Sequence, residues 1–120
     1  MGARIHYVFK DVEDEASVVL YSHWGECEWQ RDLAMALQHS KPRWNDVAYF
    51  NRMMISYLMQ DSILDETGFG IYAITGTNYD LGDTTVIIDV SKETIIDDNG
   101  NVVAWPDFIN AYLPVLAEQI

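Results

Sequence analysis

Cysteine is nearly absent. Cys27 stands alone, so no disulfide can form within the chain, and a reducing, cytoplasmic setting is expected. Basic residues are scarce too: seven lysines and arginines face 19 aspartates and glutamates, for a formal net charge of −12. No apolar run approaches the roughly 18 residues that span a bilayer. The start, Met1-Gly2-Ala3-Arg4-Ile5-His6, lacks the apolar stretch of a secretory leader. Neither membrane insertion nor export is expected. Repeats, linkers and low-complexity stretches are missing as well. With 120 residues and 49% hydrophobic composition, the chain is predicted to be a single α+β domain over residues 1–120 with one core.

The acidity is lopsided. Residues 1–60 carry 8 acids and 6 bases, whereas residues 61–120 carry 11 acids and the single base Lys92. A surface of that sign repels phosphate backbones and anionic membranes, since counterion release needs lysines and arginines. It attracts a basic surface and speeds the encounter. The simplest alternative is that the acids serve solubility.

Two strands open the chain, Ile5–Phe9 and Ser17–Tyr21, rich in β-branched and aromatic residues. The acidic stretch Asp11–Glu15 reads as a solvated loop between them. A helix is predicted from about Glu26 to His39, with Trp29, Leu33, Ala36 and Leu37 on one face, ended by Lys41-Pro42. A second helix, capped by Asn45 or Asp46, repeats Val47, Phe50, Met54, Tyr57 and Leu58 at helical steps to about Gln60. A loop over Asp61–Gly70 leads to strands at Ile71–Thr75, Thr85–Val90 and Glu93–Ile96, the last two a hairpin. Bends are expected at Gly76-Thr77-Asn78 and Leu81-Gly82-Asp83. Asp97-Asp98-Asn99-Gly100 is a turn, and Asn101-Val102-Val103 adds a short strand. A last helix starts at Pro106, turns Phe108, Ile109 and Tyr112 inward, and stops near Pro114. This order predicts an α+β fold: a mostly antiparallel sheet of about five strands, two helices after the second strand and one at the C-terminus. Helices on one face leave the other wet. The expected core is Val19, Leu33, Leu37, Phe50, Met54, Ile71, Val86, Ile88 and Phe108.

Catalytic patterns are few. Cys27 lies four residues from His23 at a predicted helix start, but Glu26 and Glu28 oppose a thiolate. His23, Cys27 and His39 match no metal-ligand spacing, and the acidic loop lacks the EF-hand pattern. No metal and no cofactor are expected. The pairs Asp65-Glu66 and Asp97-Asp98 sit in turns, where both acids ionise rather than share a proton. Thr67-Gly68-Phe69-Gly70 has neither a Walker lysine nor a dinucleotide fingerprint. No enzyme is predicted.

One constellation suggests a ligand. His23 and Trp24 sit where a strand hands over to a helix, Arg43 precedes the next helix, Arg52 lies on it, and Thr67 precedes a strand. Arginine forks take phosphate and indoles stack on bases, so these five could grip a small anionic or aromatic ligand such as a nucleotide. Alternatively, Trp24 and Trp44 are core residues and the arginines pair with nearby acids.

The run Leu20-Tyr21-Ser22-His23-Trp24-Gly25, then Arg43-Trp44-Asn45-Asp46 with Tyr49, then Glu66-Thr67-Gly68-Phe69-Gly70-Ile71, resembles small accessory proteins of bacteriophages and prophages. The closing hairpin and Trp105-Pro106-Asp107-Phe108 belong to the same resemblance. It implies a viral protein acting in the host cytoplasm that binds and blocks a host factor, as anti-CRISPR proteins do. Joined to the charge argument, the expectation is an inhibitor of a host nucleic-acid-handling or defence complex. It would bind a basic surface of a host protein or nucleoprotein, touch neither nucleic acid nor membrane, and be free to form a homo-oligomer. Asp80, Asp83, Asp97 and Asp98, all on predicted turns, are the candidate contact residues.

Overall fold

The computed structural model describes residues 4–11, 16–23, 28–76, 81–82 and 84–113. In chain order the elements are β1 (Ile5–Lys10), β2 (Ser17–Ser22), α1 (Trp29–Ser40), a single 3-10 turn (Lys41–Arg43), α2 (Val47–Leu58), β3 (Phe69–Ile74), β4 (Thr84–Asp89), β5 (Thr94–Ile96), β6 (Val102–Ala104) and α3 (Trp105–Tyr112). The fold is α+β. Six strands form one mixed sheet in the order β3-β2-β1-β4-β5-β6. Four of its pairings are antiparallel, and β1 and β4 run parallel. The sixth strand is the three-residue β6.

Alternation along the strands sorts side chains onto two faces. Ile5, Tyr7 and Phe9 of β1, Leu20 of β2, Val86 and Ile88 of β4 and Ile95 of β5 share one face in register. All are buried in one cluster with Trp29, Leu33 and Leu37 of α1, Phe50 and Met54 of α2 and Phe108 and Ile109 of α3. The opposite face is not wet throughout. Val8 and Val19 lie on it and are fully buried, side by side in the register and outside the helix-side cluster. The rings of His6, Tyr21 and Tyr72 share that face.

Trp105, fully buried, joins the helices to the sheet. Its ring stacks on Phe50 at 4.7 Å, meets Trp44 edge-on at 5.1 Å, and donates from Nε1 to the Thr94 carbonyl at 3.0 Å. Trp44 in turn donates from Nε1 to the Leu37 carbonyl at 3.0 Å, satisfying one of the carbonyls that a helix leaves open at its C-terminal end. Ser40 donates to the same carbonyl, at 3.2 Å. Thus α1 ends at Ser40, one residue past His39, with Lys41 as its C-cap as Lys41-Pro42 led one to expect, and Pro42 lies in the 3-10 turn that follows. Asp46 is the α2 cap, accepting from the Tyr49 amide. Pro106 takes the second helical position of α3, behind Trp105.

Several sequence expectations move. Ile71 is 58% exposed, not core, because β3 is the outermost strand and no described helix buries it. The strand also starts earlier, at Phe69: Phe69 and Gly70 extend the β2 ladder opposite Ser22 and Tyr21. Thr77 and Asn78 of the first expected bend, Asp83 of the second, the acids Glu13–Glu15, the start of the first helix at Glu26, and Pro114 fall outside the described residues. Val47 and Tyr112 face solvent in part, although Tyr112 rests on the Phe108 ring.

Truncating Trp105 tests its central position. Trp105→Ala is expected to cost about 3–5 kcal/mol in denaturant unfolding, in the range of large aromatic cavities. Trp105→Phe, which keeps the stack and loses the hydrogen bond, is expected to cost clearly less.

Candidate functional site

Strand direction brings separate acidic segments to one end of the sheet. β1 begins at Ile5, level with Ser22, and Ser22 is level with Phe69. Thr84 is level with Ile5, and the β5–β6 turn follows Ile96 beyond Ile87. The near end of the sheet, where β1 starts, therefore collects the 59–68 connection, the approach to β4 and the 97–101 turn. Exposed Asp61, Asp65, Glu66 and Asp98 lie on these connections. Arg4 is the single lysine or arginine among their described residues. At about 4.8 Å per strand, the four strand spacings from β3 to β5 make this rim roughly 19 Å long.

The four acids singled out by sequence differ in standing. Asp80 and Asp83 lie outside the described residues. Asp98 is exposed at the tip of its turn. Asp97 is part of the turn itself: its Oδ1 accepts from the amides of Asn99 and Asn101, both at 2.9 Å, and its Oδ2 from the Asn101 side chain at 3.2 Å. Gly100, at φ +86°, takes the left-handed conformation that the turn needs. Asp97 shapes the loop that presents Asp98.

The ligand constellation does not assemble in one place. His23 and Thr67 are neighbours, since the His23 amide donates to the Gly68 carbonyl at 2.9 Å. Trp24 and Cys27 lie outside the described residues. Arg43 follows the far end of α1, whose twelve residues span about 18 Å, and its guanidinium stands over the Tyr49 ring at 5.1 Å. Arg52 is exposed, two positions from both Phe50 and Met54 and so on the opposite side of α2. Trp44 packs against the core.

What the structure does assemble is a pocket and a ring layer, one on each face. On the helix side, a cavity of about 360 Å³ opens beside the near end, lined by Tyr7, Ser22, Asp32, Tyr57, Asp61 and Phe69 among others. Burial, and next the carboxylate of Glu28, the residue just before α1, raise the Asp32 carboxyl above its ordinary value, against a lowering by Arg31. Burial, with Asp32 second, pushes the Tyr7 hydroxyl up as well, so it remains a neutral phenol. The cavity suits a cationic or neutral polar group, not a phosphate. On the other face Tyr72 and His6 Nδ1 share a hydrogen bond of 3.0 Å, and Tyr21 and His23 Nδ1 one of 2.9 Å. In each pair the imidazole tautomer decides the donor. The His6 and Tyr21 rings lie 5.2 Å apart. Among the described residues no group of three or more His, Cys, Asp or Glu could hold a metal ion. No described helix is long and apolar enough to cross a membrane.

Sequence reading passed over Tyr7, Asp32 and Tyr57. One signal for Asp32 was present: Glu28 and Asp32 are like charges at a four-residue helical step. No protein-family model matches the sequence, and no curated protein or solved structure is significantly similar to it.

The raised carboxyl has a pH consequence. Between the ordinary and the raised value the folded chain holds the Asp32 proton that the unfolded chain has lost, so stability falls as pH rises through that window. Asp32→Asn removes the ionisation. Thermal melts at neutral pH are expected to show a gain of no more than about 0.5 kcal/mol, vanishing below the ordinary carboxylate range.

Proposed function

We propose that this chain is a non-enzymatic binding protein that docks its acidic rim on a basic surface of a partner protein or nucleoprotein. The observation that carries the reading is the meeting of Asp61, Asp65, Glu66 and Asp98, from segments more than 30 residues apart, at one end of the sheet. A rim that is acidic but for Arg4 steers a basic partner and repels nucleic acid itself. The resemblance of Leu20–Gly25, Arg43–Asp46 and Glu66–Ile71 to phage accessory proteins supports the finer reading. In it the partner is a nucleic-acid-handling or defence complex of a bacterial host, met in the host cytoplasm, and the rim occupies a channel that otherwise takes phosphates. A nucleotide module is less well supported, because Arg43 and Arg52 stand away from His23 and Thr67, and the charged residues that line the cavity, Asp32 and Asp61, are both acidic.

The test is capture from bacterial lysate, followed by association rates on a biosensor at several salt concentrations. Reversing Asp65, Glu66 and Asp98 to lysine is expected to slow association by about tenfold or more at low salt, with a smaller effect on dissociation. Glu93 and Asp107, exposed at the opposite end of the sheet, are the control pair and should matter little. Association should weaken with salt, since the Debye length shrinks from about 10 Å at 0.1 M to about 3 Å at 1 M. A rate indifferent to salt, or equal losses from rim and control reversals, refutes the reading. Asp97 stays unaltered in these variants, because its carboxylate holds the turn.

A further inference from the structure

The two edges of the sheet are unlike. β6 is three residues long and continues directly into α3, a short and blunted edge. β3 is six residues, Phe69-Gly70-Ile71-Tyr72-Ala73-Ile74, with no charge, no proline and no lysine. Proteins ordinarily protect an exposed edge with such residues or with a bulge.

The backbone direction of β3 follows from one hydrogen bond. The His23 amide donates to the Gly68 carbonyl, and those two residues continue the β2–β3 register, in which Ser22 faces Phe69. In an antiparallel ladder hydrogen-bonded pairs alternate with non-bonded ones. The pairs Tyr21–Gly70, Val19–Tyr72 and Ser17–Ile74 are therefore bonded across to β2. Phe69, Ile71 and Ala73 turn their amides and carbonyls the other way, to the outer edge. Among the described residues β3 pairs with β2 alone. The three outward residues also put their side chains on the helix side, where Ile71 is 58% exposed, Ala73 is exposed and Phe69 borders the cavity. In the connection that leads into the strand, Ile63 and Leu64 are exposed as well, Leu64 at 96%.

We infer that the outer edge of β3 is where the partner docks, by adding an extended basic segment as a seventh strand along Phe69, Ile71 and Ala73. Main-chain bonds to these three residues hold the strand, and alternate side chains select it. An apolar side chain of the partner covers Ile71. A lysine or arginine at the Phe69 end meets the carboxylates of Asp61, Asp65 and Glu66 and the cavity wall at Asp32. Charge decides between occupants: a second copy of a chain at −12 is repelled, and a basic strand is attracted. This inference rests on the proposed docking to a basic partner and names the element that makes the contact.

The probe is a peptide of about ten residues, a full strand, alternating lysine and valine, with a glutamate–valine peptide as control. Hydrogen exchange is read at single amides of the full chain. The expected result is a rise in protection of about tenfold or more at the Phe69, Ile71 and Ala73 amides with the lysine peptide alone. Gly70 and Tyr72, already bonded to β2, should change little. Ala73→Pro removes one outward donor at an edge position where proline is tolerated, and Ile71→Lys places a like charge against the probe. Each is expected to abolish the protection while leaving the thermal melt close to that of the parent. Lack of protection at those three amides, or equal protection by the glutamate peptide, overturns the inference. So does protection that grows with protein concentration alone alongside a doubled mass, which would give the edge to a second copy. A captured partner that is lost on reversal of Asp65, Glu66 and Asp98 but retained by Ala73→Pro would sink strand addition and leave the acidic rim standing.

Discussion

The packing of Trp105 is the constraint on which the arrangement of the rest depends. It begins α3 immediately after β6, so its position is fixed by the sheet, yet its ring lies against Phe50 of α2 and Trp44 beyond the end of α1. Its backbone and side-chain nitrogens both donate to the β5 region, to Glu93 and Thr94 carbonyls. An indole buried without a partner for its N–H would give up part of its packing gain to desolvation. Here both are met by one residue. The helical pair α1–α2 is an insertion between adjacent strands β2 and β3, and these aromatic contacts pin it over the β1, β4 and β5 side of the sheet.

That placement has a cost on the other side. With the helices drawn toward Trp105, the edge strand β3 has no described helix over Ile71, and the 59–68 connection must return from the end of α2 to the near end of the sheet. The exposed edge, the cavity beside Phe69 and the acidic loop are thus three results of one packing decision. The register adds a fourth. Because Gly68 pairs with His23, the residues with exposed side chains on the helix face are the same ones whose main-chain groups point outward.

How much of this could be read in the sequence depended on how local its cause was. Leu33, Leu37, Phe50 and Met54 repeat at helical steps, and α1 and α2 followed from them within a few residues. Val86 and Ile88 alternate in a run flanked by turn signals, and β4 followed likewise. Ile71 has the same strand chemistry as Ile88, and nothing local distinguishes an edge strand from a central one, because strand order is a non-local property. The parallel pairing of β1 with β4 was hidden for the same reason. Of the site, Asp98 and the meeting of His23 with the Thr67-Gly68 segment were legible from turn and junction positions. The dispersal of Arg43 and Arg52 was not, since it needs the length of α1 and the phase of α2. Asp97 shows the limit of a charge count: side by side with Asp98 in sequence, it spends its carboxylate on three hydrogen bonds within its own turn.

The same distinction holds for other acids of the chain. Asp46 caps α2. Asp89, almost fully buried, accepts from Ser91 and the Lys92 amide and lies 3.9 Å from the Lys10 ammonium, so it closes the β4–β5 turn. These carboxylates have structural work, and removing any of them would leave donors unmet. Asp65, Glu66 and Asp98 are exposed instead, at the same end of the sheet as Asp61. Like charges gathered this way repel one another and lower the stability of the compact state. Solubility would be served as well by acids spread over the surface, where repulsion is weakest. Their gathering on one rim, beside an edge strand that carries no charge of its own, is the feature on which the proposed docking of a basic partner relies.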